Sequence, residues 1–265
     1  MHPTSLLAMP TRLPEAQTKP VASARWFQNP LPWVVMALLC LAYALPHTGA
    51  MFGALFPQQD RPVYLQEPFS ELLWRHIALV VVSSSIAILI GIGVGVGVTR
   101  PSGRAFEPMM QTLAAAGQTF PPIAVLALAV PAVGFGELPA LIALALYGLL
   151  PVLQATLAGL AGVPQAALES ARAMGMTPWQ VLRQIEIPLA WPVWLAGVRT
   201  SVIINIGTAA IASTVGAKTL GSPIIVGLSG FNTAYVLQGA LLVGLLAVAT
   251  DMAFERLARR AVQPS

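Results

Sequence analysis

Several apolar runs, each close to the roughly 20 residues of helix that cross a bilayer, dictate what this chain can become. Ile77 to Val98 is one of them, and further runs follow to near the C-terminal end. Of 265 residues, 56% are hydrophobic and 9% charged, where a soluble domain carries about 25% charged residues. Backbone exposed to lipid must satisfy its own hydrogen bonds, which selects helices. The expected fold is therefore an all-α integral membrane protein with about six transmembrane helices.

Residues 1–30 are polar and proline-rich, with Arg12, Lys19 and Arg25, and lack the apolar core of a signal peptide. They read as a disordered cytoplasmic tail. The first span is expected over residues 31–56, bent near Pro46 and His47, followed by a polar outer loop over 57–70. Further spans are expected at about Ile77–Val98, Thr112–Phe135, Pro139–Leu160, Pro192–Val215 and Thr233–Ala253, the third interrupted by Pro121, Pro122 and Pro131. Gly91, Gly93, Gly95 and Gly97 form two GxxxG pairs, which suit close helix contact in a membrane.

Positive charge orients the bundle. With both termini inside, ten cations lie in cytoplasmic segments: Arg12, Lys19, Arg25, Arg100, Arg104, Arg172, Arg183, Arg256, Arg259 and Arg260. Arg61, Arg75 and Lys218 fall outside, and Arg199 sits near the inner end of the fifth span. The single cysteine, Cys40, excludes an intrachain disulfide, and the histidines show no metal-ligand spacing.

The polar stretch Pro164–Pro188 interrupts this apolar chain on the cytoplasmic side. Pro164 suits a helix start and Gly175 a left-handed C-terminal cap. Thr177 and Gln180 have capping-box spacing around Pro178. Pro188 closes the second helix and hands the chain to the next span, so two short helices hinged at Gly175 result. Ala167, Ala171 and Met174 fall on one small apolar face, and Val181, Leu182 and Ile185 on another. Glu169 with Arg172, and Arg183 with Glu186, are spaced as i, i+3 ion pairs. Helices this short need packing to persist, yet the segment can still offer a knob to a soluble partner. Its spacing also suits a DNA-binding helix-turn-helix. With two Arg against two Glu, however, the segment lacks the net positive charge that phosphate binding requires, so no nucleic-acid partner is expected. A plain connector is the other reading.

The segment resembles the coupling motif of ABC importer permeases: E-A-A, three residues, G, nine residues, I, one residue, L-P. Here Glu169, Ser170 and Ala171 precede Gly175, Ile185, Ile187 and Pro188 at matching spacing, with Ser170 and Ile187 as the departures. The resemblance covers about residues 70–260. The stretches "FPPIAVLALAVPAVGFGELPALIALALYGLLPVL", "RAMGMTPWQVL" and "AGVRTSVIINIGTAAIASTVGAKTLGSPI" look like the branch that imports osmoprotectants such as glycine betaine, choline and carnitine.

That resemblance implies a type I ABC importer permease-like bundle in a bacterial inner (plasma) membrane, with the coupling helix docking into a cytoplasmic ABC ATPase dimer. It also implies a second permease chain, identical or sister, and an extracytoplasmic substrate-binding protein. ATP and Mg2+ would bind the ATPase, with no cofactor in this chain. The chain itself has no G-x-x-x-x-G-K-S/T string; the nearest, "VGAKTLG", has Ala217 where glycine is needed. The chain is thus not expected to be an enzyme.

The cargo path is less legible. Ser201, Asn205 and Thr208 form a polar stripe on the fifth span, which lines a path or bonds between helices. Tyr147 is a central aromatic on the same candidate path. Arg199 is expected to snorkel to the inner interface, with dipole neutralisation or gating as alternatives. Lys218 is an external gate, a binding-protein contact or a solvated loop charge. Another small polar, amino acid-like solute is the alternative cargo. An ion-coupled transporter would need acidic residues at mid-membrane, whereas Glu137 and Asp251 lie near span ends.

Overall fold

A computed structural model describes residues 30–117 and 119–262. Of the expected tail over residues 1–30, residues 1–29 lie outside the described residues and Pro30 opens the first helix. Every regular element among those described is helical. The order is α1 (Pro30–Ala44), α2 (Gly49–Leu55), α3 (Phe69–Val98), α4 (Glu107–Gly117), α5 (Pro122–Val133), α6 (Glu137–Ala161), α7 (Gln165–Ala173), α8 (Pro178–Val181), α9 (Ile187–Ile211), α10 (Ser222–Ser229) and α11 (Thr233–Val262). Five helices are long and apolar enough to cross a membrane, or six if the bent pair α4–α5 makes one span.

The departures from expectation follow from proline. The first α-helix stops at Ala44, where Leu45–His47 tightens into a 3-10 turn around Pro46 before α2 begins, and the first span ends at His47. The expected third span is two helices meeting at 101°, with Pro121 as the extended residue before α5. At Pro188 the opposite happens, and the helix does not end there. Residues Leu182–Glu186 form a π-helical turn in which Ile187 N–H bonds back to Leu182 O. A proline lacks a donor and clashes with the carbonyl four residues earlier. The wider π turn absorbs both defects. Pro178–Val215 is consequently one 38-residue helical rod.

The centre of the bundle is α3, α6 and α9, packed mutually. Small residues set how closely they approach: a Cβ added at Gly91 would stand 2.9 Å from Val152, and one at Gly95 2.6 Å from Thr156. The alternate pair, Gly93 and Gly97, faces open space, so one GxxxG pair packs within this chain and the other does not. The outward faces carry exposed Leu89, Val81 and Leu128, an apolar surface that water would not tolerate over such an area.

The polar loop before α3 is bound to α11 rather than free. Gln238, fully buried, donates from Nε2 to Pro62 O at 2.7 Å. Its Oε1 accepts from Tyr64 N–H at 3.1 Å. Asn232 Nδ2 donates to Arg61 O at 2.8 Å. Tyr64 packs edge-on against Tyr235 with ring centres 5.5 Å apart and donates its hydroxyl to Glu67. Burial first, and then that hydrogen bond, hold the Tyr64 phenol above its ordinary range.

Candidate functional site

The polar segment between α6 and α9 is built as its sequence suggests at the two caps. Gly175 has φ +77°. Gly175 N–H bonds to Arg172 O at 2.9 Å and Met176 N–H to Ala171 O at 3.2 Å, the paired bonds of a Schellman stop. Thr177 and Gln180 close a reciprocal capping box, with Thr177 N–H to Gln180 Oε1 at 2.8 Å. A helix stop at Gly175 and a helix start at Thr177, two residues apart, fix the corner between α7 and the rod.

Ala171 is fully buried, as its place on the apolar face of α7 predicts, and supports the corner from within. Two other expectations about the segment change. Met174 is 73% exposed. The i+7 spacing that assigned it to the packed face lapses because the helix ends at Ala173. The two short-range ion pairs do not form, and each carboxylate has another partner among the described residues. Glu169 accepts from Gln165 Nε2 at 3.1 Å. Glu186 meets Arg100 at 2.7 Å, across the gap between α3 and the rod.

The surface that results presents Glu169, Ser170, Met174, Gly175 and Trp179, the last 66% exposed. Beneath it Val181 and Leu182 are buried and Ile185 and Ile187 half-buried, while Pro188 is exposed. A methionine and a tryptophan standing out of a polar corner are an apolar knob of the kind that fills a partner's pocket. Trp179 escaped the sequence reading. Its signal was an aromatic in the first turn of a helix that opens on a polar cap.

The polar stripe on α9 points into the protein. Ser201 and Asn205 are fully buried and Thr208 nearly so. Asn205 Nδ2 donates to Ser84 Oγ at 3.0 Å, linking α9 to α3. Gly148 of α6 admits both side chains: an added Cβ would stand 2.7 Å from Asn205 Nδ2 and 2.8 Å from Ser201 Oγ. Ser201 Oγ, Asn205 Oδ1 and Tyr147 Oη are buried without a partner among the described residues. Tyr147 is next to Gly148 in sequence, so the four candidate path residues lie on α6 and α9, which pack together.

Arg199 does not snorkel alone. It holds Asp251 of α11 with two bonds, Nε to Oδ1 at 2.6 Å and Nη2 to Oδ2 at 2.7 Å. In apolar surroundings each charge needs the other, and the fork of Arg suits the carboxylate.

At the opposite end from the polar corner, Glu71, Arg75, Glu137, Trp74 and Lys218 line a cavity of about 450 Å³. Lys218 stands 3.6 Å from Glu67, which ties this loop charge to the strapped loop before α3. His76, also missed in the sequence, is fully buried. Its Nδ1 accepts from Leu220 N–H at 3.3 Å and its Nε2 faces Ile206 O at 3.1 Å. An Nδ1 that accepts makes the ring neutral, with Nε2–H as donor.

Comparison with known proteins gives a consistent set of likenesses. Residues 87–263 match the family described as binding-protein-dependent transport system inner membrane component. Over 186 residues the chain is 41% identical to the osmoprotectant import permease protein OsmY of Salmonella typhimurium, covering 70% of this chain and 79% of that protein. It is 44% identical to the glycine betaine/carnitine/choline transport system permease protein OpuCB of Bacillus subtilis over 51% of this chain, and there spans 62% of the relative's length. Among solved structures, an inward-facing MetNI methionine ABC transporter chain superposes with a TM-score of 0.66 at 25% identity, over 75% of this chain and all of that one.

Proposed function

The chain belongs to the family of inner membrane components of binding-protein-dependent transport systems, and from that premise we propose that it passes a quaternary-ammonium osmoprotectant in an ATP-driven importer. Glycine betaine, choline and carnitine are the candidate cargoes. What supports the cargo class is the naming of relatives at 41% and 44% identity as osmoprotectant or glycine betaine/carnitine/choline permeases.

One observation carries the mechanism: a rigidly capped polar corner exposes Met174 and Trp179 and continues without a break into the 38-residue rod. A cytoplasmic ABC ATPase dimer takes this knob, with Glu169, Ser170 and Gly175 beside it. ATP and Mg2+ bind that partner. When the ATPase closes, the displacement passes through Ile185, Ile187 and Pro188 along a rod of about 57 Å at 1.5 Å per residue. The rod carries Ser201, Asn205 and Thr208 past Tyr147 and Gly148, and parting this polar seam opens the path. The driving force is the difference in ATPase affinity between the two states of the bundle.

Both termini lie in the cytoplasm in this reading, with Arg100, Arg104 and Arg172 at the inner face and Arg61 and Lys218 outside. A second permease chain, identical or sister, completes the path, and an extracytoplasmic binding protein delivers cargo to the outer end.

Uptake of labelled glycine betaine, choline, carnitine and methionine into cells with and without this chain tests the proposal. Loss of uptake of at least one quaternary amine on deletion, with methionine uptake unchanged, is the expected result. Loss of methionine uptake alone overturns the cargo class.

A further inference from the structure

Where α3 leaves the membrane, Thr99–Arg104 faces the polar corner across a cavity of about 480 Å³. Its charged lining is Arg100, Arg104, Arg172 and Glu186. Three guanidinium groups against one carboxylate leave it cationic. Glu186 is already taken by Arg100 at 2.7 Å, while Arg104 and Arg172 have no ionic partner among the described residues. Like charges gathered round one concavity repel one another, so the arrangement lacks a counter-anion.

We propose that this cavity binds a phosphate-bearing anion, held by Arg104 and Arg172 with Arg100 behind them. Arginine is suited to it: the planar fork gives paired bonds to phosphate oxygens and is shed of water cheaply. Two sources have this chemistry, the headgroup of an anionic phospholipid and free inorganic phosphate. The position favours the lipid. Thr99 to Pro101 continue directly from the spanning helix α3, and basic pockets at the cytoplasmic ends of membrane helices are fitted to lipid headgroups.

The consequence is mechanical. Arg172 comes from the last turn of α7, whereas Arg100 and Arg104 belong to the loop after α3. One phosphate group bridging them ties the polar corner to the bundle. Met174 and Trp179 do not line the cavity, so the bound anion sets the corner's position without covering the apolar knob. The inference concerns binding to this chain and stands whatever the cargo is.

The test is thermal unfolding of the purified full chain in a neutral detergent, at constant ionic strength. Dihexanoyl phosphatidylglycerol, dihexanoyl phosphatidylcholine and inorganic phosphate are titrated separately into wild type, Arg104→Gln and Arg172→Gln. Arg104 is exposed and has no ionic partner among the described residues, so its replacement leaves the fold intact. Phosphatidylglycerol should raise Tm in the wild type, with the midpoint weakened at least about tenfold in either variant, as loss of a charged hydrogen bond predicts. Phosphatidylcholine should do little. An equal rise with inorganic phosphate, lost in both variants, supports the site and assigns it to the soluble anion. Shifts that are equal in wild type and both variants, or absent with both anions, overturn the proposal.

Discussion

Met174→Glu should abolish energised uptake while the protein remains folded and inserted. The side chain is 73% exposed just past the end of α7, so a carboxylate there costs the isolated chain almost nothing. In the proposed docked complex the same carboxylate would be stripped of water inside an interface pocket. Loss of a central interface anchor alone costs about 2 kcal/mol or more, which is roughly 30-fold in affinity at 1.4 kcal/mol per tenfold. Uptake of the labelled cargo should therefore fall by at least that factor. The amount of protein in the membrane and its Tm in detergent should stay at wild-type values. Unchanged uptake would place Met174 outside the docking face.

Gly221→Ala should do the reverse, removing the folded protein instead of its activity. The turn between α9 and α10 is a knot of buried bonds. Thr219 Oγ1 donates to Ala209 O at 2.9 Å and accepts from Gly221 N–H at 3.0 Å. The next amide, Leu220 N–H, is the donor to His76. A Cβ on Gly221 would stand 1.9 Å from Ala210 O, with two further backbone atoms of Ala210 within 2.6 Å. Backbone cannot swing aside as a side chain would. The cost should reach about 3 kcal/mol, the upper part of the overpacking range, and Tm should fall by on the order of 10 °C. Gly244→Ala is the matched control. Nothing lies within 4 Å of its added Cβ, so the helix should gain slightly. Equal Tm values for the two variants would contradict the packing described for this turn.

What the sequence disclosed and what it withheld divide along a physical line. The spans were legible as long apolar runs, and the stop at Gly175 and the capping box of Thr177 and Gln180 because each depends on residues within one or two turns. Pro188 misled for a related reason. Its local rule ends a helix, but the five-residue π turn Leu182–Glu186 just before it lets the helix run on, with Leu182 buried in that turn. Partners far apart in sequence were out of reach. Arg199 found Asp251, Glu186 found Arg100, and Gln238 found the loop at Tyr64. None of these pairings leaves a periodic trace. In the candidate site, the motif positions were readable but their division of labour was not. Ala171 turned inward and Met174 outward because the helix ended one residue before Met174.

The measurement that decides most is which proteins accompany this chain out of the membrane. Tagged wild type and Gly175→Pro would be extracted from the native cells in mild detergent and their partners identified by mass spectrometry. Proline cannot adopt the φ of +77° that the corner requires at this position. The expected result is an ABC ATPase in stoichiometric amount with wild type and none with Gly175→Pro. Wild-type protein that is folded, monodisperse and free of any ATPase would contradict the importer mechanism.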